Sequence, residues 1–195
     1  MHRVRYHVAV SLDGFIAPVD GGAEWLEPYG KVAMSFIGAW MEQIGGIVVG
    51  RATYDQAIGM GGWMWGRSPT LVMTSRPICQ GPQTIYAHAG DPAEGLAALR
   101  ARMAAQDIDT DIWLFGGGVT AGLFLKHELI DLIELAVVPV VLGKGRPLFT
   151  DIETQLTFEH ASAQPIGMGC TVNSYRRIDG RAPRRVRGVS SPPAT

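Results

Sequence analysis

Two cysteines and five histidines are all this 195-residue chain offers for covalent or metal staples. Cys79 and Cys170 stand far apart with no CxxC spacing, and His2, His7, His88, His127 and His160 form no HxxH or HExxH pattern. A disulfide framework and a metal centre are therefore not expected, and both cysteines read as structural thiols. Charge of one sign is scarce too. Seventeen Lys and Arg oppose 18 Asp and Glu for a net charge of −1, interleaved along most of the chain. That balance leaves no global field for gripping nucleic acid. Apolar runs stop well short of the roughly twenty residues that a spanning helix needs, and no basic, apolar, small-residue signal opens the sequence. A protein of the cytoplasm with neither a membrane nor a nucleic-acid partner is the expectation.

The length suits one domain able to bury a real core, here expected over residues 1–178. The remainder, 179–195, carries four arginines and three prolines with little apolar mass, a composition that favours a disordered tail over a binding arm. Val4 to Val10 alternates like a strand, and Asp13-Gly14 signals a turn. Ala33, Phe36, Ile37, Trp40, Met41 and Ile44 keep helical spacing over 31–44, with Gly45-Gly46 as the expected stop and "IVV" as a buried strand after it. A helix follows at "GRATYDQAIG", then strands at "TLVMT" and "TIYA". Asp91-Pro92-Ala93-Glu94 supplies an N-cap, a proline at the first helical position and an acid at N3 for a helix to about Gln106. A strand at 112–115, a helix at 119–128, a long strand at 132–142 and two extended runs, "LTFEHA" and "CTVNSYRRI", complete the pattern. Helices alternate with strands through the first two thirds, and strands follow strands at the end. The fold class is α/β, with a mainly parallel sheet and an antiparallel C-terminal edge.

Three apolar strands stop at residues suited to phosphate or hydroxyl contacts: "IVVGRATY", "LVMTSRP" and "IWLFGGGVT". Ligands of open α/β sheets gather outside the carboxyl ends of strands, where helix N-termini aim free N–H groups outward. "GGGVTAG" misses the G-x-G-x-x-G spacing, and "GKGRP" is not a Walker A loop. Each piece alone has an ordinary reading: a tight glycine turn, Thr53 as a helix cap with Arg51 solvated, a polar turn at Thr74-Ser75-Arg76 before Pro77. One ligand lying across all three would explain them together.

"SLDGFIA", "VVGRATY", "LVMTSRP", "IWLFGGG" and "ELAVVPVVLGKGRPLF" follow in the order and at the intervals that resemble the reductase domain of the riboflavin-biosynthesis deaminase/reductase, from Arg3 to about Ile178. That domain is itself similar in fold to dihydrofolate reductase. The resemblance implies a dihydrofolate-reductase-like three-layer domain with helices on both faces of the sheet, binding NADPH, and it suggests a homodimer. Carried over block by block, it implies that Gly116, Gly117 and Gly118, with Val119 and Thr120, cradle the pyrophosphate. Gly50, Arg51 and Thr53 would hold the phosphates from the other side. Thr74, Ser75 and Arg76 would receive the adenosine 2′-phosphate, and Ala9, Ile16 and Ala17 would cover the nicotinamide.

Reducing a C=N or C=O bond needs a proton as well as a hydride. The helix over 31–44 has no acid before Glu42, which departs from the carboxylate that dihydrofolate reductases place there and speaks against folate as substrate. Asp13 and Glu24 are the proton-donor candidates, with Glu27 close by, although a turn aspartate and solvated loop glutamates are their ordinary readings. Trp25, Phe36 and Trp40 are the substrate-facing candidates. Trp25, Trp63 and Trp65 make either a stacking wall for a flat heterocycle or core and interface aromatics. Lys144 and Arg146 are candidates to face an anionic substrate group. Two functions follow as expectations: an NADPH-dependent reductase of a small pteridine- or aminopyrimidine-like heterocycle, or a dinucleotide- or ligand-binding module without turnover.

Overall fold

The computed structural model describes residues 2–153 and 155–178, so the basic tail at 179–195 lies outside the described residues. Ten strands alternate with four α-helices: β1 Val4–Ser11, β2 Phe15–Ala17, α1 Gly30–Met41, β3 Ile44–Gly50, α2 Arg51–Gly59, β4 Thr70–Met73, β5 Ile85–His88, α3 Pro92–Ala104, β6 Asp111–Gly116, α4 Gly118–Lys126, β7 Leu132–Val138, β8 Arg146–Pro147, β9 Phe158–Gly167 and β10 Cys170–Arg177. A short 3-10 helix spans Glu24–Tyr29. Eight strands form one sheet in the order β5-β4-β3-β6-β1-β7-β10-β9, while β2 and β8 pair separately. From β5 to β7 all neighbours are parallel, and β10 and β9 add antiparallel pairs at the C-terminal edge.

Continuous apolar strands such as "IVV" and "LVM" are what a parallel sheet covered on both faces requires. On one face Val4, Tyr6, Val48, Leu71, Ile112 and Leu114 pack against Leu96, Leu99 and Met103 of α3 and Phe124 of α4, all fully buried or nearly so. Removing each such side chain from water stabilises by roughly 1.5–3 kcal/mol. On the other face Val49 and Val72 pack on Tyr54 and Ile58 of α2. The α3 start follows the expected chemistry: Asp91 is the N-cap, its carboxylate accepts the Ala93 N–H, and Pro92 opens the helix.

Several expected boundaries move, each for a packing reason. Helix α1 ends at Met41, and Gly45-Gly46 belongs to β3 rather than stopping a helix. A Cβ at Gly45 would collide with Ile108 and Thr110, and one at Gly46 would meet the Met103 sulfur at 2.5 Å, so these glycines thin the strand where the end of α3 crosses it. The spaced apolar face of α1 is only half sunk: Trp40 is its one buried residue, and Ala33 is exposed. Strand β7 stops at Val138 rather than running to Leu142, because Pro139 has no N–H to continue the ladder. Strand β9 is longer than the "LTFEHA" run and continues through Pro165, which an edge strand tolerates. Among the described residues no helix is long and apolar enough to cross a membrane.

Candidate active site

Strands β3 and β6 are neighbours, yet their connections leave in opposite directions: α2 leads to β4 on one side, and α4 leads past β1 to β7 on the other. Such a switch point opens a crevice beyond the carboxyl ends of the two strands. Register carries the surrounding segments to the same end, with Val49 opposite Gly116 and Gly50 opposite Met73. The segments Gly50 to Thr53, Thr74 to Arg76 and Gly116 to Thr120 therefore border one edge.

Both helices that begin at this crevice have glycine N-caps without a side-chain acceptor: Gly50 for α2 and Gly117 for α4. Thr53 is thus not the cap of its helix. Helix α3, away from the crevice, is capped by Asp91 in the ordinary way. Two helix N-termini with no side-chain cap, side by side, present free N–H groups and partial positive charge to the same space, the requirement for holding an anion.

The three consecutive glycines stand in three different surroundings. Gly116 needs its missing side chain for a φ of +137°. Gly118 lets the Pro147 carbonyl cross against α4, where a Cβ would overlap it. Gly117 is uncrowded, as Gly116 is: its nearest neighbour is the Thr53 hydroxyl, 3.5 Å from where a Cβ would stand, and Gly116 has none within 4 Å. Gly50 is closed off differently, because a Cβ there would overlap the Thr120 hydroxyl. Thr120 is buried and Val119 is exposed.

Beside the crevice, Arg51 donates through Nε to Asp55 Oδ1 at 2.7 Å and through Nη1 to the Pro77 carbonyl at 3.1 Å. Arg76 donates to the other Asp55 oxygen at 3.3 Å, and its backbone N–H is accepted by the Thr74 hydroxyl at 3.1 Å. A cavity of about 270 Å³ lies between α2 and the loop after β4, lined by Arg51, Tyr54, Asp55, Ile58 and Cys79 among others. Ser75 is exposed.

Ala9 lies half-buried near the end of β1, and Ile16 and Ala17 lie half-buried in β2, which is clamped by β8. Asp13 ties these parts together. Its carboxylate accepts the Ser11 hydroxyl at 2.6 Å and the Leu142 and Gly143 N–H groups at 3.1 and 2.7 Å. The Ser11 hydrogen bond first, and the backbone N–H groups after it, hold Asp13 below the usual aspartate range. An acid so stabilised as its anion is a loop clamp, not a proton donor. Glu24 and Glu27 are exposed on the 3-10 helix. Arg146 lies over Gly21 and reaches the Asp20 carbonyl at 3.5 Å, so it secures the loop after β2; Lys144 is exposed.

Aromatic rings form a continuous layer on the α1 and α2 face. Phe36 and Trp40 pack on His7 at 5.6 and 4.6 Å, Trp40 meets Trp113 at 5.4 Å, and Trp65 meets Phe115 at 4.3 Å and Trp63 at 4.6 Å. Trp63 and Trp65 thus come together, whereas Trp25 makes no ring contact with either among the described residues. Trp40 is 3% exposed, and its indole donates to Glu134 Oε2 at 3.1 Å. It holds α1 down and is not a substrate-facing group. Phe36 and Trp25 are half-buried, and the Trp25 indole N–H has no partner among the described residues.

Beneath α1 sits a charged cluster that pattern reading missed. Arg5 makes a two-pronged contact with Glu134, at 2.9 and 2.7 Å, and reaches Gln43 at 2.9 Å. His7, 5% exposed, has its pKa pushed down to about 4, chiefly by burial, with Glu134 opposing and Arg5 adding to the shift. The signal was the alternation of "VRYHVAV", which puts Arg5, His7 and Ala9 on one face of a central strand. Among the described residues no three acidic, histidine or cysteine side chains are placed to hold a metal ion.

A mainly parallel sheet with a glycine-capped crevice at its switch point and an antiparallel C-terminal edge defines a dihydrofolate-reductase-like domain. Residues 64–172 match the model of the RibD C-terminal domain, and the chain belongs to that family. A putative riboflavin biosynthesis protein from Shewanella sp. PV-4 is 28% identical, with a TM-score of 0.74 over 92% of this chain and 100% of its own. Dihydrofolate reductase from Enterococcus faecalis, complexed with NADP(H) and RAB-propyl, shares the fold at 19% identity and a TM-score of 0.62, over 91% of this chain and 97% of its own. RibD of Acinetobacter baumannii does so at 19% and 0.67; the match covers 91% of this chain but 58% of RibD. The uncharacterized protein YwjB of Bacillus subtilis is 27% identical over 181 residues, 87% of this chain and 95% of YwjB.

Proposed function

We propose that this chain is an NADPH-dependent reductase of a small planar heterocycle, pteridine- or aminopyrimidine-like, acting in the cytoplasm. One observation carries the reading: α2 and α4 begin side by side at the switch point with glycine N-caps that no side chain satisfies, and two arginines stand next to them. The uncrowded backbone at Gly116 and Gly117 leaves room for a pyrophosphate, which would take the N–H groups of both first turns. Arg51, Ser75 and Arg76, with the Thr74 hydroxyl, suit the 2′-phosphate of the adenosine half. Ala9, Ile16 and Ala17 cover the nicotinamide half, and the flat substrate lies between them and the half-buried faces of Trp25 and Phe36. When bound, NADPH supplies the hydride. A dihydrofolate reductase of like fold is complexed with NADP(H), which supports the choice of cofactor.

With Asp13 held as an anion and Glu134 saturated by Arg5 and Trp40, Glu24 remains the acid proposed to deliver a proton. That α1 carries no acidic residue favours the rival reading, a dinucleotide-binding module without turnover. Titration of the chain with NADPH, followed by nicotinamide fluorescence, tests the shared premise, and no binding ends both readings. Loss of the reduced nicotinamide's near-ultraviolet absorbance with a pteridine or aminopyrimidine panel separates them. A homodimer through β9 belongs to the proposal: residues 159–165 form an edge with both faces exposed. Sedimentation analysis showing a monomer, or a dimer untouched by charges placed at Ala161 and Ala163, removes that part.

A further inference from the structure

We infer that Asp55 is an internal anion standing where the dinucleotide's 2′-phosphate would bind, and that it sets how far this chain prefers a phosphorylated adenosine over a bare one. The inference rests on the NADPH reading above. Arg51 comes from the first turn of α2 and Arg76 from the loop after β4, yet both guanidinium groups converge on the two oxygens of one carboxylate. Arg51 is held further by the Pro77 carbonyl and lies over the Tyr54 ring, so its position is determined. Two guanidinium groups gathered on one small anion form the geometry that receives a phosphate monoester.

Neither guanidinium is exhausted, since each carries five N–H donors. A phosphate arriving with about −1.5 to −2 charge nevertheless meets a carboxylate already seated between the arginines. It must displace that carboxylate or share the arginines with it against like-charge repulsion. The same carboxylate lines the 270 Å³ cavity beside α2, so it has space to turn away. Stability does not require the arrangement: the Asp55 side chain is 44% exposed, and exposed i,i+4 pairs contribute little. Asp55 therefore acts on ligand choice and not on folding.

Asp55→Asn removes the charge while preserving shape, and calorimetric titrations with 2′,5′-ADP, 5′-ADP, NADPH and NADH read the result. The variant is expected to bind 2′,5′-ADP and NADPH roughly 5- to 20-fold more tightly, with less than about 2-fold change for 5′-ADP and NADH. The gain should shrink as salt is raised. Asp55→Ser should move affinities in the same direction, which separates loss of charge from a new amide hydrogen bond. Unchanged or weaker binding of 2′,5′-ADP by both variants, in a parent that binds NADPH, overturns this inference and leaves the dinucleotide reading standing. A parent that binds none of the four probes overturns both.

Discussion

Arg5 and Glu134 meet beneath α1 with side chains 5% and 6% exposed, whereas Arg51 and Arg76 share Asp55 at the surface, where the Arg76 side chain is 63% exposed. The chemistry is the same, guanidinium against carboxylate, and the consequences differ. In the buried pair every charge has lost its water, so each partner is the other's solvation, and Gln43, Trp40 and, at 3.5 Å, Asp111 add to the shell. At the surface water competes for every contact, each bond is worth little, and the partners stay exchangeable. A sealed pair serves the fold, and an open pair is available to a ligand.

Breaking the sealed pair should have the largest effect. Glu134→Ala removes the two-pronged partner of the buried Arg5 guanidinium, leaving it Gln43 and the longer 3.5 Å contact with Asp111, and is expected to cost about 3–5 kcal/mol in urea unfolding. Arg5→Met with Glu134→Leu should recover most of that loss. Asp55→Ala should cost under about 1 kcal/mol in the same assay. Equal losses at the two carboxylates would erase the distinction.

His7, packed beside the sealed pair, adds a pH signature. Its folded pKa lies near 4, below the ordinary 6.5, so between those values the unfolded chain binds a proton that the native state refuses. Stability should be unaffected above pH 6.5 and fall by about 3 kcal/mol as pH drops from 6.5 to 4. His7→Phe should flatten that slope in unfolding curves measured across the window. A slope that survives the substitution would assign it to other groups.

The same contrast between closed and open runs through the glycines. Gly118→Ala must push the Pro147 carbonyl away and is expected to destabilise by about 1–3 kcal/mol. Gly117→Ala, with only the Thr53 hydroxyl nearby, should stay within about 1 kcal/mol of the parent while weakening dinucleotide binding. Arg76→Ala bears on binding alone. Without this exposed guanidinium, NADPH forgoes one charge-assisted hydrogen bond and should bind about 1.5 kcal/mol more weakly, with little change for NADH. Equal weakening for both nucleotides would remove Arg76 from the 2′-phosphate site.

Much of the architecture is legible in the sequence because it is local. Alternation marks β1, Asp91-Pro92 marks the start of α3, and apolar strands ending in Gly-Arg, Thr-Ser-Arg and Gly-Gly-Gly mark one end of the sheet. Gly45-Gly46 misleads because a glycine pair signals a helix stop and a thinned strand equally well, and only the passage of Met103 across it decides. Asp13 has the pattern of a turn residue and is one, but its grip on Leu142 and Gly143 joins groups whose approach no local pattern records. Trp40 has the spacing of a cleft-facing residue, and its burial against Glu134 and Trp113 makes it a support.

Residue order alone determined most of the strands and helices, which faces are apolar and where backbone is left bare, since these depend on periodicity and on the conformational range of each residue type. Tertiary structure decided that Arg5 finds Glu134, that Asp55 gathers two arginines, and that of three adjacent glycines only Gly118 is closed in by backbone from another segment. Those outcomes depend on strand order and register, which bring distant residues within hydrogen-bond reach only when the whole sheet has assembled.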